Sequence, residues 1–117
     1  METIIIDEKY KGIKKVNDSW FKHDGDLIIK DGDVIIKINL IIDGNQLTEG
    51  FQYANGDLKV NGSQYIMGDQ IVIGSIDVKG NQTIIGKQYV INDLKVSGKQ
   101  HVSGKQYVGG DQYVGGK

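Results

Sequence analysis

From Asp31 to Val114 the chain repeats one six-residue unit fourteen times without insertion or deletion. In register it reads DGDVII, KINLII, DGNQLT, EGFQYA, NGDLKV, NGSQYI, MGDQIV, IGSIDV, KGNQTI, IGKQYV, INDLKV, SGKQHV, SGKQYV and GGDQYV. Position 2 is Gly except at Ile38 and Asn92, position 4 is Gln or aliphatic, and position 6 is Val or Ile except at Thr48 and Ala54. Six is a multiple of the strand period of two and fits the helical 3.6 badly. Tyr, Val and Ile favour strands, and a Gly in every unit breaks helices. Each hexad therefore reads as a short strand plus a corner. Glycine suits the corner because it tolerates positive φ and a close backbone approach. Asn92 is the next best residue for that position, whereas Ile38 predicts a distorted corner.

A second period lies on the first. The aliphatic residues at position 4 are Leu40, Leu58, Ile76 and Leu94, each 18 residues after the last. Between them stand two columns of glutamine: Gln46, Gln64, Gln82 and Gln100 in one, Gln52, Gln70 and Gln88 in the other. Three hexads make one circuit of a three-sided β-helix, so residues 18 apart stack at roughly 4.8 Å. The expected fold is all-β, a single-chain solenoid of about five coils and roughly 24 Å in length. An intertwined triangular prism of three identical chains is the alternative. It gives no reason for every third hexad to differ, although the beat fades where Gln100, Gln106 and Gln112 follow one another.

Parity then assigns side chains. Positions 4 and 6 face inward and position 5 outward, so the glutamines are buried. A buried amide without partners costs roughly 1–3 kcal/mol, and stacking at every coil predicts hydrogen-bonded Gln ladders. Tyr53, Tyr65, Tyr89 and Tyr107 should line outward columns that could take a sugar ring or another flat sheet.

Residues 1–23 break the repeat. A solenoid exposes its core at each end, so this segment is expected to be an N-terminal cap in which Ile4, Ile6, Trp20 and Phe21 plug the end of the 24–117 solenoid. DGDLIIK at 24–30 is a hexad with Lys30 extra, which predicts a one-residue bulge in the first coil. Asp24, Asp26, Asp31 and Asp33 could cluster at adjoining corners around a calcium ion, but read first as turn aspartates before or after Gly. At the other end SGKQYVGGDQYVGGK carries the repeat with no cap. Its Gln106, Val108, Gln112, Tyr113 and Val114 are expected to form an open edge on which another copy can add.

The sequence offers little chemistry. There is no Cys, and the only histidines are His23 and His101, with His101 at an outward position among tyrosines. No phosphate-binding loop occurs, and no catalytic constellation, cofactor or metal site is expected. A net charge of −1 with all 14 basic residues Lys argues against nucleic acid. The start METIIIDEKYKG is too acidic for a signal peptide and no run has membrane length, so a cytoplasmic or virion component is expected.

The 18-residue circuit resembles the hexapeptide-repeat left-handed β-helix of acyltransferases. It departs from them in Gly placement, in its inward Gln and in lacking their histidine motif, so no catalytic residue carries over. Segments such as DGDLIIKDGDVII also resemble bactofilins, bacterial cytoskeletal proteins whose three-sided β-helix polymerises end to end without nucleotide. The C-terminal repeats, such as GGDQYVGG, are similar to the trimeric shafts of phage and secretion-system spikes. These resemblances imply a non-enzymatic structural protein that partners itself, as a filament or oligomer or as a trimeric spike or fibre module. A carbohydrate-binding module using the Tyr columns is the remaining alternative.

Overall fold

The computed structural model describes residues 2–116, which form strands and turns with no helix. In chain order the strands are β1 (Glu2–Ile6), β2 (Ile13–Lys15), β3 (Trp20–Asp24), β4 (Leu27–Ile29), β5 (Gly32–Ile36), β6 (Asn39–Asp43), β7 (Gln46–Thr48), β8 (Gln52–Ala54) and β9 (Leu58–Val60). They continue with β10 (Gln64–Ile66), β11 (Gln70–Val72), β12 (Ile76–Val78), β13 (Gln82–Ile84), β14 (Gln88–Val90), β15 (Leu94–Val96), β16 (Gln100–Val102), β17 (Gln106–Val108) and β18 (Gln112–Val114).

Three sheets result, one for each side of a β-solenoid of about five coils. Side one stacks β1-β5-β8-β11-β14-β17, side two β2-β3-β6-β9-β12-β15-β18, and side three β4-β7-β10-β13-β16. All pairings are parallel except the β2–β3 hairpin. One chain supplies all three sides of each coil, so the single-chain solenoid, and not the three-chain prism, is the architecture. The body measures 36 × 32 × 22 Å, squat rather than rod-like.

The register follows the repeat. From β5 upward the partners lie 18 residues apart, as in Val34↔Gln52 and Gln52↔Gln70. In the first coil they lie 19 apart, as in Phe21↔Leu40 and Leu27↔Gln46. The extra residue anticipated at Lys30 is absorbed at the corner between β4 and β5, where Asp31 has φ 54°. It is a corner distortion, because a bulge inside a three-residue strand would turn one inward side chain outward.

The corner explains the glycines, and conformational freedom is not the reason. Of the repeat-like glycines only Gly25 has positive φ. Instead a position-3 Asp, Asn or Ser reaches up and accepts the backbone N–H of position 3 in the next coil, a bond that Phe51 and Lys87 at the same position do not make. Asn45 takes Ser63 N at 2.8 Å, Asp57 takes Ser75 N at 2.9 Å, and Asn81 takes Lys99 N at 2.9 Å. That oxygen and the carbonyl beside it occupy the space a Cβ would need: on Gly80 it would lie 2.5 Å from Ser63 Oγ. Both exceptions fit this picture. Ile38 lies in the coil above Ser19 and Trp20, where no such acceptor stands; instead Asn39 Nδ2 donates to Ser19 O at 3.0 Å. Asn92 lies above the short Ser75, whose bond to Asp93 N has stretched to 3.2 Å.

The bore is aliphatic at the N-terminal end, where Leu27, Ile29, Val34, Ile36, Leu40 and Ile42 are buried. Higher up, side two keeps Leu58, Ile76 and Leu94, while sides one and three bring in glutamine. Part of the 1–23 segment joins the sheets instead of standing outside them: β1 extends side one (Ile6↔Ile36) and β3 extends side two. Ile4, Tyr10, Ile13 and Phe21 pack on the end of the core around the buried Ile6. Trp20 does not plug the end as the sequence suggested. It pairs with Asn39 at a corner, and Lys59 Nζ lies 5.1 Å above its ring. The parity of β3 decides this, since register with Leu40 turns Phe21 inward and its neighbour away.

Candidate functional site: the glutamine lattice and the coil it ends in

The glutamines on sides one and three form one continuous network. Along side three, Gln64 Nε2 donates to Gln46 Oε1, then Gln82 to Gln64 and Gln100 to Gln82 at 2.8 Å. Along side one, Gln70 donates to Gln52 at 2.7 Å, Gln88 to Gln70 at 2.8 Å, and Gln106 to Gln88. Cross-links join the two columns: Gln70 to Gln64 at 3.1 Å, Gln88 to Gln82 at 2.9 Å and Gln100 to Gln88 at 3.1 Å. The result is complete satisfaction inside. Gln64, Gln70, Gln82 and Gln88 each donate two bonds and accept two.

The lattice has a direction. Every ladder amide donates toward the N-terminal end and accepts from the C-terminal side. Aligned amide dipoles add, as peptide dipoles do along a helix, and hydrogen-bonded chains polarise one another. At the bottom, Gln46 Nε2 reaches Thr48 Oγ1 at 3.3 Å, while Gln52 Nε2 is buried without a partner above Val34. At the top, Gln112 replaces the aliphatic of side two and donates to Gln106 at 3.1 Å and Gln100 at 3.3 Å. Among the described residues the lattice therefore ends on the Oε1 of Gln112, which receives no donor.

Among the described residues the C-terminal coil is also open at its backbone on sides one and two. In lower coils the amide of position 4 donates to position 3 of the coil above, as Gln88 N to Lys105 O and Leu94 N to Asp111 O, both 2.9 Å. Among the described residues no coil stands above β16, β17 and β18, and the corresponding amides of Gln106 and Gln112 have no such partner. Val108 and Val114 pack only partly on the core, and Tyr113 is exposed. The residues expected at an assembly edge are thus brought together in one layer.

Outward columns follow parity. On side one Ile5, Ile35, Tyr53, Ile71, Tyr89 and Tyr107 are in register. Tyr89 and Tyr107 stack with centroids 4.7 Å apart and planes 20° apart. Tyr65 lies on side three between Leu47 and Thr83. His101 sits exposed with Nε2 3.1 Å from Ser103 Oγ.

The four early aspartates do not converge. Asp26 and Asp33 accept corner amides from Asn45 and Phe51. Asp24 binds Lys14 at 2.9 Å and Lys22 at 3.3 Å, and Lys22 also reaches Asp43 at 3.6 Å. Hydrogen bonds from Lys14 and then Lys22 hold the Asp24 carboxyl below the ordinary carboxylate range, and the bond to Asp24 raises the Lys22 ammonium in turn. The corner acceptors were missed from the sequence. Their signal was Asp, Asn or Ser recurring at position 3, hidden by interchange among three residue types and by Phe51 and the lysines that share the position.

Compared with protein-family models, curated proteins and solved structures, the chain matches none.

Proposed function

We propose that the protein is a structural β-solenoid that self-associates through the coil built by β16, β17 and β18, giving filaments or a defined oligomer. One observation carries the reading: among the described residues the amide lattice ends in this coil at Gln112, and the backbone amides of Gln106 and Gln112, on sides one and two, have no coil above them to meet. An edge of this kind is a template for further strands. The N-terminal side differs, because β1, the β2–β3 hairpin and Phe21 overlie much of it. The resemblance of DGDLIIKDGDVII to bactofilins supports the same reading, since those solenoids polymerise end to end.

The test is mass in solution against concentration, by light scattering with negative-stain images of the same samples. The expected result is mass that grows with concentration well past a dimer, and loss of growth beyond a dimer in a Val108→Lys/Val114→Lys variant, which places charge in the end layer. A concentration-independent monomer, or unchanged growth in the variant, would overturn the proposal.

A further inference from the structure

Side one carries a surface that the end-to-end reading does not use. Its outward column runs Ile5, Ile35, Tyr53, Ile71, Tyr89, Tyr107, and Phe51, Met67 and Ile85 are exposed beside it. Parallel sheets are usually covered on both faces, yet among the described residues nothing covers this one. Six strands at roughly 4.8 Å and a side of about six residues at ~3.3 Å give a face of roughly 600 Å². Two such faces bury about 1,200 Å² in total, at the lower end of stable protein interfaces.

We propose that the partner for this face is a second copy of the chain, packed face to face and antiparallel about a twofold axis passing between β8 and β11. An axis lying in the interface across the strand stack sets each column against itself in reverse order. The column is self-complementary only in that sense: Ile5 meets Tyr107, Ile35 meets Tyr89, and Tyr53 meets Ile71. A large side chain faces a smaller one at every step, whereas a parallel arrangement sets tyrosine on tyrosine and isoleucine on isoleucine.

Charge selects the same arrangement. The position-3 column beside it reads Thr3, Asp33, Phe51, Asp69, Lys87, Lys105, with acids toward the N-terminal end and lysines toward the C-terminal end. Antiparallel packing puts Lys87 against Asp33 and Lys105 against Thr3. Parallel packing about an axis along the tyrosine column sets the position-3 column against the far corner and makes neither of these pairings.

The inference is independent of assembly at the end coil and is tested with that route blocked. Sedimentation equilibrium of the Val108→Lys/Val114→Lys variant should show a monomer–dimer equilibrium. Adding Tyr89→Glu should weaken it at least tenfold, while Tyr65→Glu on side three should leave it unchanged. Orientation is read by zero-length carbodiimide cross-linking of mixed isotope-labelled chains. Lys87 and Asp33 lie three strand spacings apart within one chain, roughly 14 Å, so a direct Lys87–Asp33 bond joins two copies. Recovery of that cross-link in mixed-isotope form is the expected result. A strict monomer, a dimer indifferent to Tyr89→Glu, or cross-links that skip this pair would overturn the proposal. So would perturbation of Tyr89 and Tyr107 by an oligosaccharide with the mass still monomeric, which would assign the face to sugar.

Discussion

Gln70 shows how much one side chain does here. Its amide makes four hydrogen bonds to four other glutamines, and all of them are with buried side chains. Gln70→Leu has nearly the right volume but strands donors on Gln82 and Gln88 and acceptors on Gln52 and Gln64. At roughly 1–3 kcal/mol for a stranded buried group, the expected loss is about 2–4 kcal/mol, read from urea midpoints. Gln52→Leu should cost less, because it also removes an Nε2 that already lacks a partner. Equal losses would mean the lattice does not act as a network. Glycine at position 2 is a similar case. A Cβ on Gly68 would lie 2.8 Å from Gly50 C and 2.9 Å from Phe51 N, which are backbone atoms that cannot swing aside. Gly68→Ala is expected to cost about 1–3 kcal/mol by overpacking; a neutral outcome would contradict the steric reading of the corner. The glutamine burial was legible from strand parity, and the ladders from the 18-residue beat. The corner acceptors were harder to read, because their partner is backbone and several residue types interchange at position 3.

At the scale of elements, the regular coils and the N-terminal segment follow different rules. Where the hexad holds, register follows from the repeat, and even Lys30 announced the 19-residue spacing of the first coil. Where it fails, pairing was not legible: β1 meets β5 at a 30-residue separation across a hairpin, and Trp20 lies beside Lys59. The β2–β3 hairpin is tied down by the Lys14–Asp24–Lys22 cluster on its surface. Asp24 titrates lower when folded, so its contribution is present above the unfolded carboxylate value, about pH 4, and is lost as pH falls through the folded value. Lys22 titrates higher when folded, so its share is present below about pH 10 and is lost above that as pH rises through the folded value. Amide exchange in β2 is therefore expected to quicken on going from pH 6 to pH 3, after correction for intrinsic rates. Asp24→Asn should abolish the pH effect. A pH response surviving in Asp24→Asn would place the cause elsewhere.

For the whole molecule, the solenoid joins two asymmetries. One end is overlain by apolar side chains and a hairpin; at the other, among the described residues, the amide lattice and the backbone ladders of sides one and two end in one layer. Sequence repetition made the coils readable. It could not reveal the direction of the amide lattice, because direction belongs to bonds and not to residue types. The central claim is that copies add at this layer, and amide hydrogen exchange at Gln106 and Gln112 tests it most directly. Exchange at these two positions is compared between dilute and concentrated protein, with Gln88 and Leu94, already bonded to the coil above, as internal controls. The expected result is slow exchange at Gln88 and Leu94 throughout, with Gln106 and Gln112 fast when dilute and protected when concentrated. Exchange at Gln106 and Gln112 that stays fast at every concentration, while the mass grows, would contradict assembly through this coil.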